Sequence, residues 1–143
     1  IVLALETRAN ATGLYQHALA RLKGDGTLDE SFGTLGVALA GFSVGGDHAR
    51  ALVLLADGRI VTAGFARNQV QQLSDKDDFL ITRHLPDGTL DTRFGNSGSL
   101  VIDFFGAADG ASALLLQPDG KLLVGGLARS GTVNGLGLLR LLP

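Results

Sequence analysis

A block of twelve residues occurs twice in this sequence. It reads Asp25-Gly26-Thr27-Leu28-Asp29-Glu30-Ser31-Phe32-Gly33-Thr34-Leu35-Gly36, and 62 residues later Asp87-Gly88-Thr89-Leu90-Asp91-Thr92-Arg93-Phe94-Gly95-Asn96-Ser97-Gly98. The likeness extends well beyond the block. Residues 25–67 align with 87–129 without a gap, and 19 of the 43 positions are identical. Periods of this kind belong to arrays whose unit is one supersecondary motif, which buries its faces only by stacking on its neighbours. The fold is therefore expected to be built of stacked copies.

Each copy reads as four strands separated by tight turns. The runs 36–42, 49–55, 59–66 and 79–85 are matched by 98–105, 111–117, 121–128 and 137–142. Asp57-Gly58 and Asp119-Gly120 fall between the second and third runs, and Asp-Gly there predicts a hairpin with both residues at positive φ. Helix is the competing reading for runs such as 111–116; their length, flanking turn residues and recurrence argue against it. Near-continuous apolar runs predict strands buried on both faces. After Arg67 the first copy carries the polar loop 68–78 and the second the shorter loop 130–134, and the registers rejoin at Arg83 and Arg140.

Residues 1–5 align with 60–64, and 15–22 with the run from 79, placing Arg21 on Arg83 and Arg140. The single domain thus divides into a half repeat 1–24, a repeat 25–86 and a repeat 87–143. Four-stranded units at this period predict an all-β fold of β-propeller blades, about two and a half in this chain. A β-solenoid is the structural alternative, although its repeats are usually shorter. Closing a propeller takes at least about four blades. Further blades of a longer chain, or a homo-oligomer, are expected to complete the ring. The chain begins at Ile1 and holds no Met, and we expect a mature product or a piece of a longer chain.

Composition narrows the chemistry. The 21 glycines are about twice the usual share and suit short strands with many turns. A formal net charge of −2, with the 12 Lys and Arg scattered, leaves no basic footprint for nucleic acid. Cysteine is absent, so disulfides, thiolate metal sites and cysteine nucleophiles are excluded. No apolar run reaches the roughly 18 residues of a membrane helix, and none is expected to insert.

The turn block Asp-Gly-Thr-Leu-Asp-x-x-Phe-Gly-x-x-Gly, followed by Gln117-Pro118-Asp119-Gly120-Lys121-Leu122-Leu123-Val124-Gly125-Gly126, resembles the delta-60 repeat family of bacterial proteins. The resemblance spans essentially the whole chain. It implies a tandem propeller-like fold of unassigned function, found in large proteins that are often exported or surface-associated. It brings no catalytic residues. Two departures stand out: Leu5 replaces the glycine of Gly64 and Gly126, and Ala56 replaces Pro118.

The recurring polar residues read as scaffold. Asp29 and Asp91 are expected to accept backbone hydrogen bonds in the turn or to pair with Arg21, Arg83 and Arg140. The functional alternative is a charged channel lining. Phe32 and Phe94, with Phe42 and Phe104, are expected in the core, and Gly33 and Gly95 where the backbone bends. In the longest loop Asp75, Asp77 and Asp78 form the only calcium candidate, although EF-hand spacing is lacking. His17, His48 and His84 occupy different repeat positions and are not expected to converge. No nucleophile elbow or phosphate-loop lysine is present.

We therefore expect no enzyme and no cofactor. The expected role is a structural or interaction scaffold, secreted or on the cell surface, with loops 9–13, 68–78 and 130–134 turned to a protein or glycan partner. The alternatives are a carbohydrate-binding propeller, and part of a hydrolase or lyase whose active site lies in other blades.

Overall fold

The computed structural model describes residues 1–8, 15–40, 46–67 and 76–142. Among them are ten strands and no helix. These are β1 (Val2–Arg8), β2 (Tyr15–Arg21), β3 (Val37–Ala40), β4 (Asp47–Leu54), β5 (Ile60–Arg67), β6 (Asp77–His84), β7 (Ser99–Ile102), β8 (Gly110–Leu116), β9 (Leu122–Ser130) and β10 (Val133–Leu141). They form three antiparallel sheets, ordered β1-β2-β3, β4-β5-β6-β7 and β10-β9-β8.

Sheets and sequence repeats are out of phase by one strand. Residues 25–86 hold β3 to β6, yet β3 pairs with β2 of the preceding copy. In the same way β7, from the next copy, closes the second sheet on β6. The turn block makes this exchange. In the first copy Asp29 N–H donates to Arg21 O, and in the second Asp91 N–H donates to Arg83 O, which folds the chain back along the strand just completed.

The hairpins differ from expectation in one respect. Gly58 and Gly120 have φ of +85° and +82°, while Asp57 and Asp119 keep negative φ. The loop is a turn followed by a left-handed glycine, the three-residue hairpin solution, and not the two-residue turn with both residues left-handed. The aspartates act through their side chains: Asp57 Oδ1 accepts from Arg59 N–H, and Asp119 Oδ1 from Lys121 N–H. The expected loop 130–134 is largely strand. Ser130 pairs with Val133 across Gly131 and Thr132, with Gly131 at φ +57° in the first central position that two-residue hairpins favour.

A β-bulge recurs between Ala49 and Ala51 and between Ala111 and Ala113. Opposite each bulge stands a glycine. A Cβ on Gly64 would lie 1.9 Å from His48 O, and one on Gly126 2.1 Å from Gly110 O. Leu5 lies on β1, whose described pairing is with β2 in unbroken register.

The sheets stack face to face in chain order. Strand alternation splits β5 between two cores: Ile60 packs with Leu19, Phe32 and Ala38 toward the first sheet. Val61 and Ala63 pack with Phe79, Ile81, Ala111 and Val124 toward the third. This double burial explains the nearly unbroken apolar runs of β5 and β6. Phe32 and Phe94 are buried as expected, and Phe104 meets Phe79 edge-on with centroids 5.0 Å apart. Phe42 lies outside the described residues.

Candidate functional site

The repeated turn brings its recurrent residues together twice. Arg21 Nε donates to Asp29 Oδ2 at 2.8 Å, and Arg83 Nε to Asp91 Oδ2 at 3.0 Å. Each guanidinium also lies over the ring that follows, 4.8 Å from the centroids of Phe32 and Phe94 respectively. The other carboxylate oxygen accepts from the backbone two residues on, at Ser31 and Arg93. Hydrogen bonds from the Ser31 side chain and backbone, with Arg21 beside them, hold the Asp29 carboxyl below its usual range. For Asp91 burial pushes upward, but Arg93 N–H and side chain and the Arg83 charge prevail and lower it.

Gly33 and Gly95 complete the unit at φ +57° and +52°, their would-be Cβ atoms pressed on Val37 O and Ser99 O. Arg140 is the odd member. It binds Gln117 Oε1 at 2.7 Å and Asp119 Oδ2 at 2.6 Å. Arg21 also donates to Pro86 O at 2.6 Å, tying one turn block to the next. The hydrogen bonds of Arg21, Asp29, Arg83 and Asp91 in these units hold strands and turns together.

The histidines contradict the expectation that they stay apart. His17 on β2 and His84 on β6 meet between the first and second sheets, edge-on, with ring centroids 5.7 Å apart. Both are fully buried. His84 Nδ1 faces Gly88 O at 3.1 Å, so it donates there, and Nε2 is left to accept from Thr82 Oγ1 at 2.9 Å. Thr82 in turn accepts from Thr62 Oγ1 at 2.7 Å. Desolvation lowers the His17 pKa to about 3, with His84 adding to the effect, and desolvation lowers His84 as well. These are neutral packing groups. His48 stands elsewhere, stacked on Phe65 and paired with Glu6 through Nδ1 at 2.9 Å.

The calcium candidates separate. Asp75 lies outside the described residues. Asp77 and Asp78 are neighbours on one strand and so point to opposite faces. Asp77 pairs with Arg67 at 3.0 Å. Asp78 instead joins Asp103 and Asp109, and one carboxylate oxygen from each lies within 4.8 Å of the others. Burial raises the Asp78 pKa to about 6, and the charges of Asp103, Asp109 and Asp77 add to it. An open hollow of about 560 Å³ beside Val37, Leu39 and Thr89 has no ionisable side chain in its walls and offers nothing for acid–base chemistry.

Antiparallel sheets that stack in chain order, closed by strands from the following copy, define a set of β-propeller blades. The chain belongs to a β-propeller family described as a domain of unknown function, DUF5122, which matches residues 10–32, 55–94 and 117–143. Two matched segments end on the equivalent residues Phe32 and Phe94, inside the two turn units. No curated protein and no solved structure matches the chain.

Proposed function

We propose that this chain is a non-enzymatic scaffold of an exported bacterial repeat protein of the delta-60 type, whose blades stack into a ring and hold rim loops toward a protein or glycan partner. The observation that supports the reading is the outer face of the third sheet. Leu115, Leu127, Leu136 and Leu138 share that face and are 58, 41, 77 and 56 % exposed. Their equivalents on the second sheet are Val53, Phe65, Phe79 and Ile81. There Phe79 and Ile81 are fully buried, with the third sheet packed against them.

The same positions in the same register thus make a covered face in one sheet and an open one in the next. The occupant that fits is another sheet of the same repeat, from a longer chain or a second copy. Burying four leucines would contribute on the order of 6 kcal/mol.

Light scattering on the chain, beside the double variant Leu136→Glu, Leu138→Glu, tests this. The expected result is an assembled species for the parent and a monomer of unchanged β content for the variant. A well-behaved monomer for both, with equal stability, would overturn the reading.

A further inference from the structure

Asp78 is the second residue of β6, Asp103 follows β7, and Asp109 precedes β8, so three carboxylates from two stacked sheets gather at one rim. Phe79 and Ile102 are the last pair of the β6–β7 ladder, and Asp78 and Asp103 are the residues just beyond it. Carboxylates brought this close repel one another. Asp109 is held in place by the backbone: Oδ2 accepts from Phe104 N–H at 2.7 Å and Oδ1 from Arg129 N–H at 2.8 Å. Asp103 Oδ1 accepts from Gly106 N–H.

Asp78 is different. It is only 8 % exposed, yet among the described residues no N–H or O–H donates to its carboxylate. That carboxylate is aimed at two others. The neighbouring guanidinium groups are engaged elsewhere, Arg67 with Asp77 and Arg129 with Asn134. Lys76 softens the local charge without hydrogen-bonding to Asp78. A buried carboxylate is ordinarily paired or metal-bound, and among the described residues no donor fills that role.

We propose that Asp78, Asp103 and Asp109 form a calcium site that pins the second sheet to the third. The donors are all carboxylate oxygens, the hard set that Ca²⁺ and Mg²⁺ take and Zn²⁺-type sites do not favour. The oxygens lie within 4.8 Å of one another, inside the reach of Ca²⁺–oxygen bonds of about 2.4 Å, and a site assembled from strand ends suits the flexible coordination of Ca²⁺ better than the near-ideal octahedron Mg²⁺ demands. A carboxylate has about four lone-pair sites, so the two bonds already made by Asp109 leave it free to ligate.

The trio also occurs once, unlike the scaffold residues. Asp47 repeats Asp109, but Gln16 stands at the position of Asp78 and Gly41 at that of Asp103, and the last copy has Gly135 for Asp78. A group needed only for the blade would recur.

The test is a set of thermal melts and calorimetric titrations on the chelator-stripped chain with CaCl₂ or MgCl₂, using wild type, Asp78→Asn and, as a control, Asp25→Asn. The expected result is one Ca²⁺ per chain, with a dissociation constant of about 10⁻⁴ to 10⁻³ M, and a melting temperature that climbs with Ca²⁺ concentration. Asp25→Asn keeps that response. Asp78→Asn loses it and melts at or above the metal-free wild type, because a repulsion has been removed. Three outcomes would overturn the site: no heat and no shift at about 10 mM Ca²⁺, beyond the weakest extracellular sites; an equal shift with Mg²⁺; or a Ca²⁺ response that survives Asp78→Asn.

Discussion

Two interfaces between stacked sheets are built from the same repeat positions and differ in their polarity. Between the second and third sheets the facing residues are Phe79 and Ile81 on one side, and Leu122, Val124, Leu139 and Leu141 on the other. Between the first and second, the equivalents are His17 and Leu19 against Ile60, Thr62, Thr82 and His84. The residues facing each other at the centre of one interface are all hydrocarbon. The other carries a buried hydrogen-bond chain from Thr62 through Thr82 and His84 to Gly88 O. The turn units, bulges and hairpins fix how sheets stack, so the side chains between them can change character provided that polar groups arrive as a satisfied set.

The sharpest way to break this contrast is at its centre. Phe79→Ala should cost about 3–5 kcal/mol in urea unfolding, the loss typical of a buried phenylalanine. His17→Ala, at the equivalent position, should cost clearly less. Equal losses would mean that the two interfaces carry the same load.

The shared backbone gives the next effect. Gly64→Ala and Gly126→Ala each force a Cβ into a bulge carbonyl and should each cost about 2–3 kcal/mol. Agreement between the two, measured by denaturant midpoints, would show that the bulge is one device used twice. A large gap would tie the glycine to its particular interface.

Acid should separate the interfaces by a smaller margin, of roughly 2 kcal/mol. The folded-state pKa of His17 is about 3 against an ordinary 6.5, so the unfolded chain takes the proton first. The stability it supports is complete above pH 6.5 and is lost as pH falls toward 3. His17→Phe, which copies Phe79, should flatten the fall between pH 6.5 and 4. Asp78 titrates in this window with the opposite sign, but equally in both proteins. The aspartates with lowered pKa act only below about pH 4. An unchanged slope would remove His17 as the source.

The smallest effect lies in the hydroxyl chain. Thr62→Val or Thr82→Val alone should cost about 1–2 kcal/mol by leaving a buried partner unsatisfied, and the double change should cost less than the sum. Strict additivity in a double-mutant cycle would show that the two hydroxyls are not coupled.

Much of the fold was legible because turn chemistry is local. Asp-Gly placed the β4–β5 and β8–β9 hairpins, and the Asp29 and Asp91 blocks pointed to backbone hydrogen bonds in the turn or pairing with Arg21 and Arg83, with Phe-Gly three residues on as core and bend. What was not legible is long-range. Nothing in a periodic sequence marks where a sheet begins, so the four strands of one copy looked like the four of one blade. His17 and His84 fall in different columns of the repeat alignment, and only stacking of adjacent sheets sets one column against another. The acidic site was missed for a related reason. Asp75, Asp77 and Asp78 are close in sequence, whereas Asp103 and Asp109 reach Asp78 through the pairing of β6 with β7 and the stacking of the third sheet on the second, which need the strand order first.

The strand exchange at β3 and β7 also bears on how such a gene can change. Because the first and second sheets are each completed by the copy that follows, deleting or duplicating one 62-residue stretch between equivalent positions restores the same sequence of pairings. Recombination between copies therefore needs no particular breakpoint to yield an array of whole interior blades. Proteolysis has no such freedom. A cut at the edge of a sequence copy separates a strand from the sheet it closes, so that the unit of inheritance and the unit that resists cleavage are offset by one strand.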